Sequence, residues 1–343
     1  MHAIQLRRSV AQLFAVLALA CAFPVTSDAA DPQLKIGSLV PKNSLYHRQL
    51  MEVGEAWKKS QPGSSRFNVF TDGSQGGEAE MVRRMRIGQL QAALLSVVGL
   101  REIEPSIAAL QNLPLAFRSW EELDYVREKM RPGMEKKFLD KGYVVLAWGD
   151  AGWVRFFSKQ AAFSPDDYKK MKFFAWGAEA EQQEIMKSIG YTPVPLEPTD
   201  ILPSIQTGMI NVVPSTPYFA LATQIYNTAP HMLEINWAPI VGAFVISKKS
   251  FDAMSPETQA VLKASADKAG SVIRIQARKE VEEAVDAMKK RGLQVNKPNA
   301  EQMKEWRAFT ETLYPRIRGK MVPAETFDEV FAHLKTYRAS KTP

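Results

Sequence analysis

The chain is nearly devoid of cysteine: Cys21 is its only one among 343 residues, and it lies in an apolar stretch close to the N-terminus. Arg7 and Arg8 precede the apolar run Val10 to Phe23, and Ser27 and Ala29 place small residues ahead of a cleavage point. Residues 1–29 therefore read as a signal peptide cut after Ala29. The run is shorter than the roughly 20 residues a membrane-spanning helix needs, so the mature chain is expected in the periplasm and not embedded in the membrane. A lipid anchor on Cys21 is disfavoured, because Ala18 and Leu19 stand where a large aliphatic and then a small residue are required. Cleavage leaves no cysteine, which excludes disulfides, thiol catalysis and thiolate metal sites.

Histidine is also scarce. Of the four, His2 belongs to the signal, and His47, His231 and His333 stand too far apart for any close metal-ligand spacing. The motifs of zincins, P-loops, nucleophile elbows and dinucleotide folds are missing, so no metal, cofactor or catalytic group is expected. The formal net charge is +7, but lysine and arginine alternate with acids along helical stretches such as EELDYVREKM and RKEVEEAVDAMKKR. That pattern describes solvated helix faces and gives no basic stripe with interleaved aromatics, so nucleic acid is not an expected partner. The positive excess could steer an anionic ligand without naming one.

What is present is a regular alternation of strand and helix. LKIGSLV reads as a strand, Tyr46 to Ser60 as a helix, FNVF as a strand, and GGEAEMVRRMRIGQL as an amphipathic helix with Met81, Met85 and Leu90 inward. LQAALLS and YVVLAWGDAG read as further strands. A second series follows: strand Lys172 to Trp176, helix Ala178 to Ile189, a PVPL strand, a helix from about Thr199 and a strand from Met209. The two series echo one another. Gly88 and Gly208 each end a helix three residues before an amide side chain, Gln91 or Asn211, that opens an apolar strand ending in hydroxyls. Those hydroxyls, Ser96 in one and Ser215 with Thr216 in the other, fit either helix caps or the lining of a cleft at the carboxyl ends of strands.

From Ser255 to Arg291 apolar residues recur at helical spacing behind an N-cap serine and a first-turn proline, with Gly270 as the lone glycine. Unbroken, such a helix spans on the order of 50 Å, longer than one small domain is wide. A break at Gly270 is the alternative.

The segments YKKMKFF, SIGYTPVPLEPTD and SIQTGMINVV, in this order and spacing, resemble the DctP-type solute-binding proteins of TRAP transporters. The likeness runs over nearly the whole mature chain, from LKIGSLVP through LQNLPLAF to VGAFVISKKSFDAMSPETQAVL. It implies an α/β, two-lobed periplasmic binding fold of type II-like connectivity with a long helix bridging both lobes. Lobe I would comprise 30–153 plus about 241–254, lobe II 154–240, the bridging helix 255–291, and 292–343 a C-terminal strand and helices packing across the lobes. It also implies a small organic acid as ligand and the TRAP membrane subunits as partners. One departure stands out. The arginine with which this family grips a carboxylate falls on Phe174, and Trp176 follows on the same side of the strand.

Arg155, in GWVRFFSK, is the remaining cation near a position where the family places a functional arginine; an interstrand surface pair is the alternative. Trp148, Trp153, Trp176, Tyr218 and Trp237 stand at or near strand ends, where a pocket or ordinary core packing could hold them. Gly76, in GSQGG, could offer backbone amides to an anion or simply turn the chain. Asp150, between Gly149 and Gly152, has no recognisable acid–base partner and joins the ligand-binding candidates as a turn aspartate. The reading is a receptor for a small organic acid with an aromatic or apolar body. A sensor feeding a signalling system, or an exported enzyme on the same scaffold, would be the alternatives.

Overall fold

In the computed structural model, residues 32–61, 65–177 and 179–341 are described, and everything below lies in the unit Gln33–Pro343. The signal-peptide reading of residues 1–29 falls outside them. The strands are β1 (Gln33–Ser38), β2 (Arg66–Phe70), β3 (Ala92–Ser96), β4 (Tyr143–Trp153), β5 (Arg155–Ser158), β6 (Lys172–Trp176), β7 (Thr192–Leu196), β8 (Val212–Ser215), β9 (His231–Leu233), β10 (Pro239–Ser247) and β11 (Gln294–Asn296).

They form two sheets, five-stranded in the order β2-β1-β3-β10-β4 and six-stranded in the order β11-β9-β5-β8-β6-β7. In the first, β1 pairs in parallel with β2 and β3, whereas β10 runs antiparallel to β3 and β4. In the second, β6 pairs in parallel with β7 and β8, and β5 runs antiparallel to β8 and β9. The chain passes from the first sheet to the second between β4 and β5 and returns between β9 and β10. These two crossing segments hold each other: Val154 N–H donates to the Ala238 carbonyl at 2.8 Å, and Trp237 N–H to the Val154 carbonyl at 3.1 Å. The molecule is a two-lobed α/β fold.

The long helix is continuous over the 34 residues Pro256–Lys289, capped by the Ser255 side chain on Thr258 N–H. Gly270 does not break it. A Cβ there would stand 2.8 Å from the Trp148 carbonyl, so glycine is the residue that lets the helix lie against the backbone of β4. Leu262, Ala266 and Ala269 join the core of Leu34, Ile36 and Phe244 in the first lobe. At the other end Val285 and Met288 join Phe157, Phe174 and Ile205 in the second. A single helix thus bridges both lobes through apolar burial, Leu262, Val285 and Met288 each contributing roughly 1.5–3 kcal/mol. The helix Ala300–Ile317 likewise sends Trp306 to the second lobe's core and Leu313 to the first's.

Two expected elements start late. The helix expected from Ala178 runs Ala180–Ser188, and the strand expected from Met209 begins at Val212. Gly208, in a left-handed conformation at φ 78°, turns the chain, and Asn211 then fixes the entry to β8 through its N–H on the Lys172 carbonyl (2.8 Å) and its Oδ1 on Lys172 N–H (3.1 Å). Met209 is left 52% exposed in that turn.

Candidate functional site

At the carboxyl ends of β1, β3, β6 and β8 a cavity of about 770 Å³ opens between the two lobes, lined at those ends by Ser38, Ser96, Trp176 and Ser215. This is where open α/β sheets place their ligands.

The first-lobe side is built around acids. Glu78, first residue of the helix Glu78–Arg86, is buried and accepts hydrogen bonds from Ser96 N–H (2.9 Å), Ser96 Oγ (2.7 Å) and Gly99 N–H (2.8 Å). Burial pushes its pKa above the ordinary glutamate value against the pull of those three donors. Ser96 also caps the short helix that follows, so capping and cleft lining coincide there. Gly76 and Gly77 line the same side, and the helix they lead into has no side-chain cap.

Asp150, 2% exposed, borders the cavity from β4. Its Oδ2 meets Arg278 of the long helix at 2.8 Å and Arg127 at 3.4 Å, and Arg278 goes on to Asp124 through two bonds of 2.8 and 2.7 Å. Burial pulls the Arg278 pKa down, but the hydrogen bonds to Asp124 and Asp150 outweigh it and raise it. Asp150 Oδ1 is buried without a partner. Asp150 is thus a buried, charge-compensated strand residue and not the turn aspartate expected from its glycine neighbours.

The second-lobe side is aromatic. Phe174 and Trp176 stand 5.3 Å apart, ring against ring, and both line the cavity. Phe156 packs at a tilt against Trp237 with ring centroids 5.1 Å apart, and Trp237 meets Trp306 edge to face at 5.7 Å; these three line it as well. Tyr218 faces Tyr46 across 6.2 Å, and Tyr46 donates to the Asp150 carbonyl at 3.3 Å. Thr216 caps the helix Pro217–Ala222 and lines the cavity next to Ser215. Glu179, also a lining residue, is 2% exposed with Arg101 of the first lobe 3.5 Å away; burial raises its pKa, and Arg101 only partly offsets this.

Among the described lining residues there is no lysine, arginine or histidine, while Asp72, Glu78, Asp150, Glu179 and Glu197 are all present. Ten of the twelve sequence candidates line this one cavity: Gly76, Ser96, Trp148, Asp150, Phe174, Trp176, Ser215, Thr216, Tyr218 and Trp237. Trp148 does so with its indole N–H committed to Glu135 at 2.9 Å and its ring against Phe138. Arg155 and Trp153 are not in the lining. Successive residues of an extended chain point to opposite sides; Val154 and Phe156 face the cavity, and Arg155 between them is turned away. Arg155 lies 3.7 Å from Glu234 and 3.6 Å from Glu282, with burial lowering its pKa. Trp153 stacks on Trp120 at 4.5 Å in the first lobe's core.

Sequence reasoning passed over Asn112 and Glu179. Asn112 lines the cavity, is 7% exposed, and has a buried Nδ2 without a hydrogen-bond partner. The only signal was an amide inside the apolar LQNLPLAF, which a helix- or strand-period reading does not flag.

Comparison with known proteins agrees with this geometry. The chain is 24% identical over 306 residues to the 2,3-diketo-L-gulonate-binding periplasmic protein YiaO of Escherichia coli, covering 87% of this chain and 89% of that protein. It is 20% identical over 328 residues to the C4-dicarboxylate-binding periplasmic protein DctP of Rhodobacter capsulatus, covering 95% and 98%. A TRAP periplasmic solute-binding protein of Ralstonia eutropha H16, crystallised with bound (S)-2-acetolactate, superposes with a TM-score of 0.81 at 17% identity over 89% of this chain and 99% of that one. The profile of bacterial extracellular solute-binding protein family 7, the DctP family, matches residues 36–320, and the chain belongs to that family.

Proposed function

We propose that this chain is the exported receptor of a TRAP-type transporter, taking up a small organic acid with an aromatic or apolar body and handing it to the membrane subunits. The observation that carries this reading is the cavity: about 770 Å³ between two lobes, aromatic on one side and with no cation among its described lining residues. Its volume suits a small organic molecule, and the apolar lining favours burying a ring or alkyl body. Relatives named for gulonate-type and C4 acids support the acid class. In this chain a carboxylate would meet uncharged donors, such as the backbone amides at the uncapped helix start by Gly77, in place of an arginine. A small dicarboxylate would bury a second charge with nothing to offset it, and binds poorly on this reading.

The lobes then correspond to 33–153 with 239–254, and to 154–238, the crossing segments acting as hinge; the precursor is cleaved after Ala29 and the mature protein works in the periplasm. No helix among the described residues is long and apolar enough to cross a membrane. On this reading the role is capture and not catalysis, as in the relatives named for the solutes they bind. The test is mass spectrometry of solute released on denaturing protein gently purified from its native host, with a thermal-shift panel of acids. Release of an apolar-bodied acid, and stabilisation by such acids but not succinate, is expected. Stabilisation by succinate alone, or turnover of any panel compound, overturns the reading.

A further inference from the structure

One wall of the cavity is a helix tied to the opposite lobe by charge. The helix Ala180–Ser188 moves with β6: Glu179, its N-cap residue, donates its N–H to the Trp176 carbonyl at 3.1 Å, and Gln183 Nε2 donates to the same carbonyl at 2.9 Å. Glu179, Gln182 and Ile185 line the cavity, yet no residue of this helix is buried. Apolar burial therefore fastens it weakly, with Ile185 only partly buried against the first lobe's core. At its start the first lobe reaches across. Arg101, which ends the short helix Val97–Leu100 after β3, places Nη1 3.5 Å from Glu179 Oε1 and Nη2 3.2 Å from Glu181 Oε2. At the other end Arg316 donates to Ser188 Oγ at 3.1 Å.

The two acids that Arg101 meets are not equivalent. Glu181 is half exposed, and an ion pair with so much water around it is worth little. Glu179 is buried, and the charge of Glu78 from the first lobe adds to its burial in disfavouring the carboxylate. Bringing the lobes together thus takes an acid out of water and sets it facing a like charge. Both effects oppose closure. Arg101, itself largely buried, supplies the offsetting charge, and it does so only when the lobes are close enough for the pair to form.

We propose that Arg101 is an interlobe latch, whose contact with Glu179 favours the closed arrangement of the lobes and holds the helix Ala180–Ser188 over the cavity. This rests on the receptor reading above, in which closure about the crossing segments traps the solute. It adds the residue that sets how readily the lobes close, and with it the apparent affinity, since a solute binds in proportion to the competent fraction.

The test measures the interlobe distance by pulsed electron spin resonance on the mature protein, which has no cysteine of its own, with spin labels at Gln89→Cys in the first lobe and Gln206→Cys in the second. It is run without solute and with 3-phenylpropanoate or decanoate in excess. In Arg101→Ala the ratio of closed to open molecules is expected to fall roughly tenfold, less than for a fully buried pair because Arg101 keeps some contact with water. Arg101→Gln serves if the alanine form does not fold. Adding Glu179→Gln removes the acid that needs the cation, so the double variant is expected to recover most of the closed fraction, which a merely structural role for Arg101 would not allow. A ratio unchanged by the loss of Arg101 overturns the latch, as does a double variant as open as the single one. Absence of any closed population in the unmutated protein overturns it too. If neither acid shifts the unmutated distances, the reading as a receptor for apolar acids falls, and the arm without solute still decides the latch.

Discussion

The two lobes are built on one local plan and differ in what they show the cavity. In each, a left-handed glycine ends a helix, Gly88 at φ 75° and Gly208 at φ 78°, and three residues on an amide side chain brackets the neighbouring strand. Gln91 N–H donates to the Lys35 carbonyl (3.0 Å) while its Oε1 accepts from Lys35 N–H (3.0 Å); Asn211 does the same to Lys172 at 2.8 and 3.1 Å. From there the strands diverge. β3 ends against a buried glutamate and β4 against a compensated aspartate, whereas β6 ends in two rings. The comparison teaches that the repeated part of the sequence specifies strand entry, a backbone matter, and that the residues beyond it are free to end one set of strands against buried carboxylates and the other in aromatic rings.

The comparison can be broken first on the aromatic side. Phe174 is 4% exposed and belongs to the second lobe's core as well as to the cavity. Phe174→Ala is expected to lower stability by about 4 kcal/mol in urea titration, through lost burial and the space left behind. A loss within error of zero would mean that the ring serves the ligand alone. Arginine at this position would bring a charge into that apolar core beside Trp176, so Phe174→Arg is expected to be no less destabilised.

On the polar side, Asp150→Ala removes one of the two carboxylates shared by Arg127, which is 2% exposed, and Arg278, and both arginines keep Asp124. A loss of about 2 kcal/mol is expected, the cost of charge-assisted hydrogen bonds removed from a buried network. Double substitution with Arg127→Met should recover part of it.

Glu78 sharpens the contrast through pH. Its folded pKa lies above the unfolded value, so the stability of its protonated form is fully present below the ordinary glutamate pKa and is lost as pH rises through the raised one. Glu78→Gln cannot titrate, and the difference in melting temperature between it and the unmutated protein should narrow with rising pH over that window. A gap that widens with pH would show the carboxylate to be preferred in the fold.

The smallest effects test the shared plan itself. Gln91→Ala loses the bond to Lys35 and that from Nε2 to the Gly88 carbonyl (2.9 Å), and Asn211→Ala loses the bond to Lys172. Each is expected to cost about 1 kcal/mol, with Gln91 the larger. If one costs several times the other, the brackets are not equivalent devices.

Much of this was legible in the amino-acid order, because it depends on neighbours along the chain. Periodicity located the helices Leu45–Lys59 and Pro256–Lys289, the Ser255 cap and first-turn proline marked where the longer one begins, and glycine followed by an amide marked the repeated strand entry. The family resemblance pointed to Phe174, and strand alternation then put Trp176 on the same side; both line the cavity. What the sequence could not supply was the facing of single residues at the crossing. Arg155 was the natural cation for an acid, yet one position of alternation turns it away and puts Val154 and Phe156 in the cavity. Asp150 looked like an ordinary turn residue, and Asn112 like an isolated amide in an apolar run. Their surroundings are set by Arg127 and Arg278, and by a loop and a strand held together by the bond from Val241 to Gln111, 130 positions apart in the chain. Local chain order fixes where backbone hydrogen bonds begin and end; charge compensation and the orphaning of a polar atom are set by groups distant in sequence, and only the folded structure brings those together.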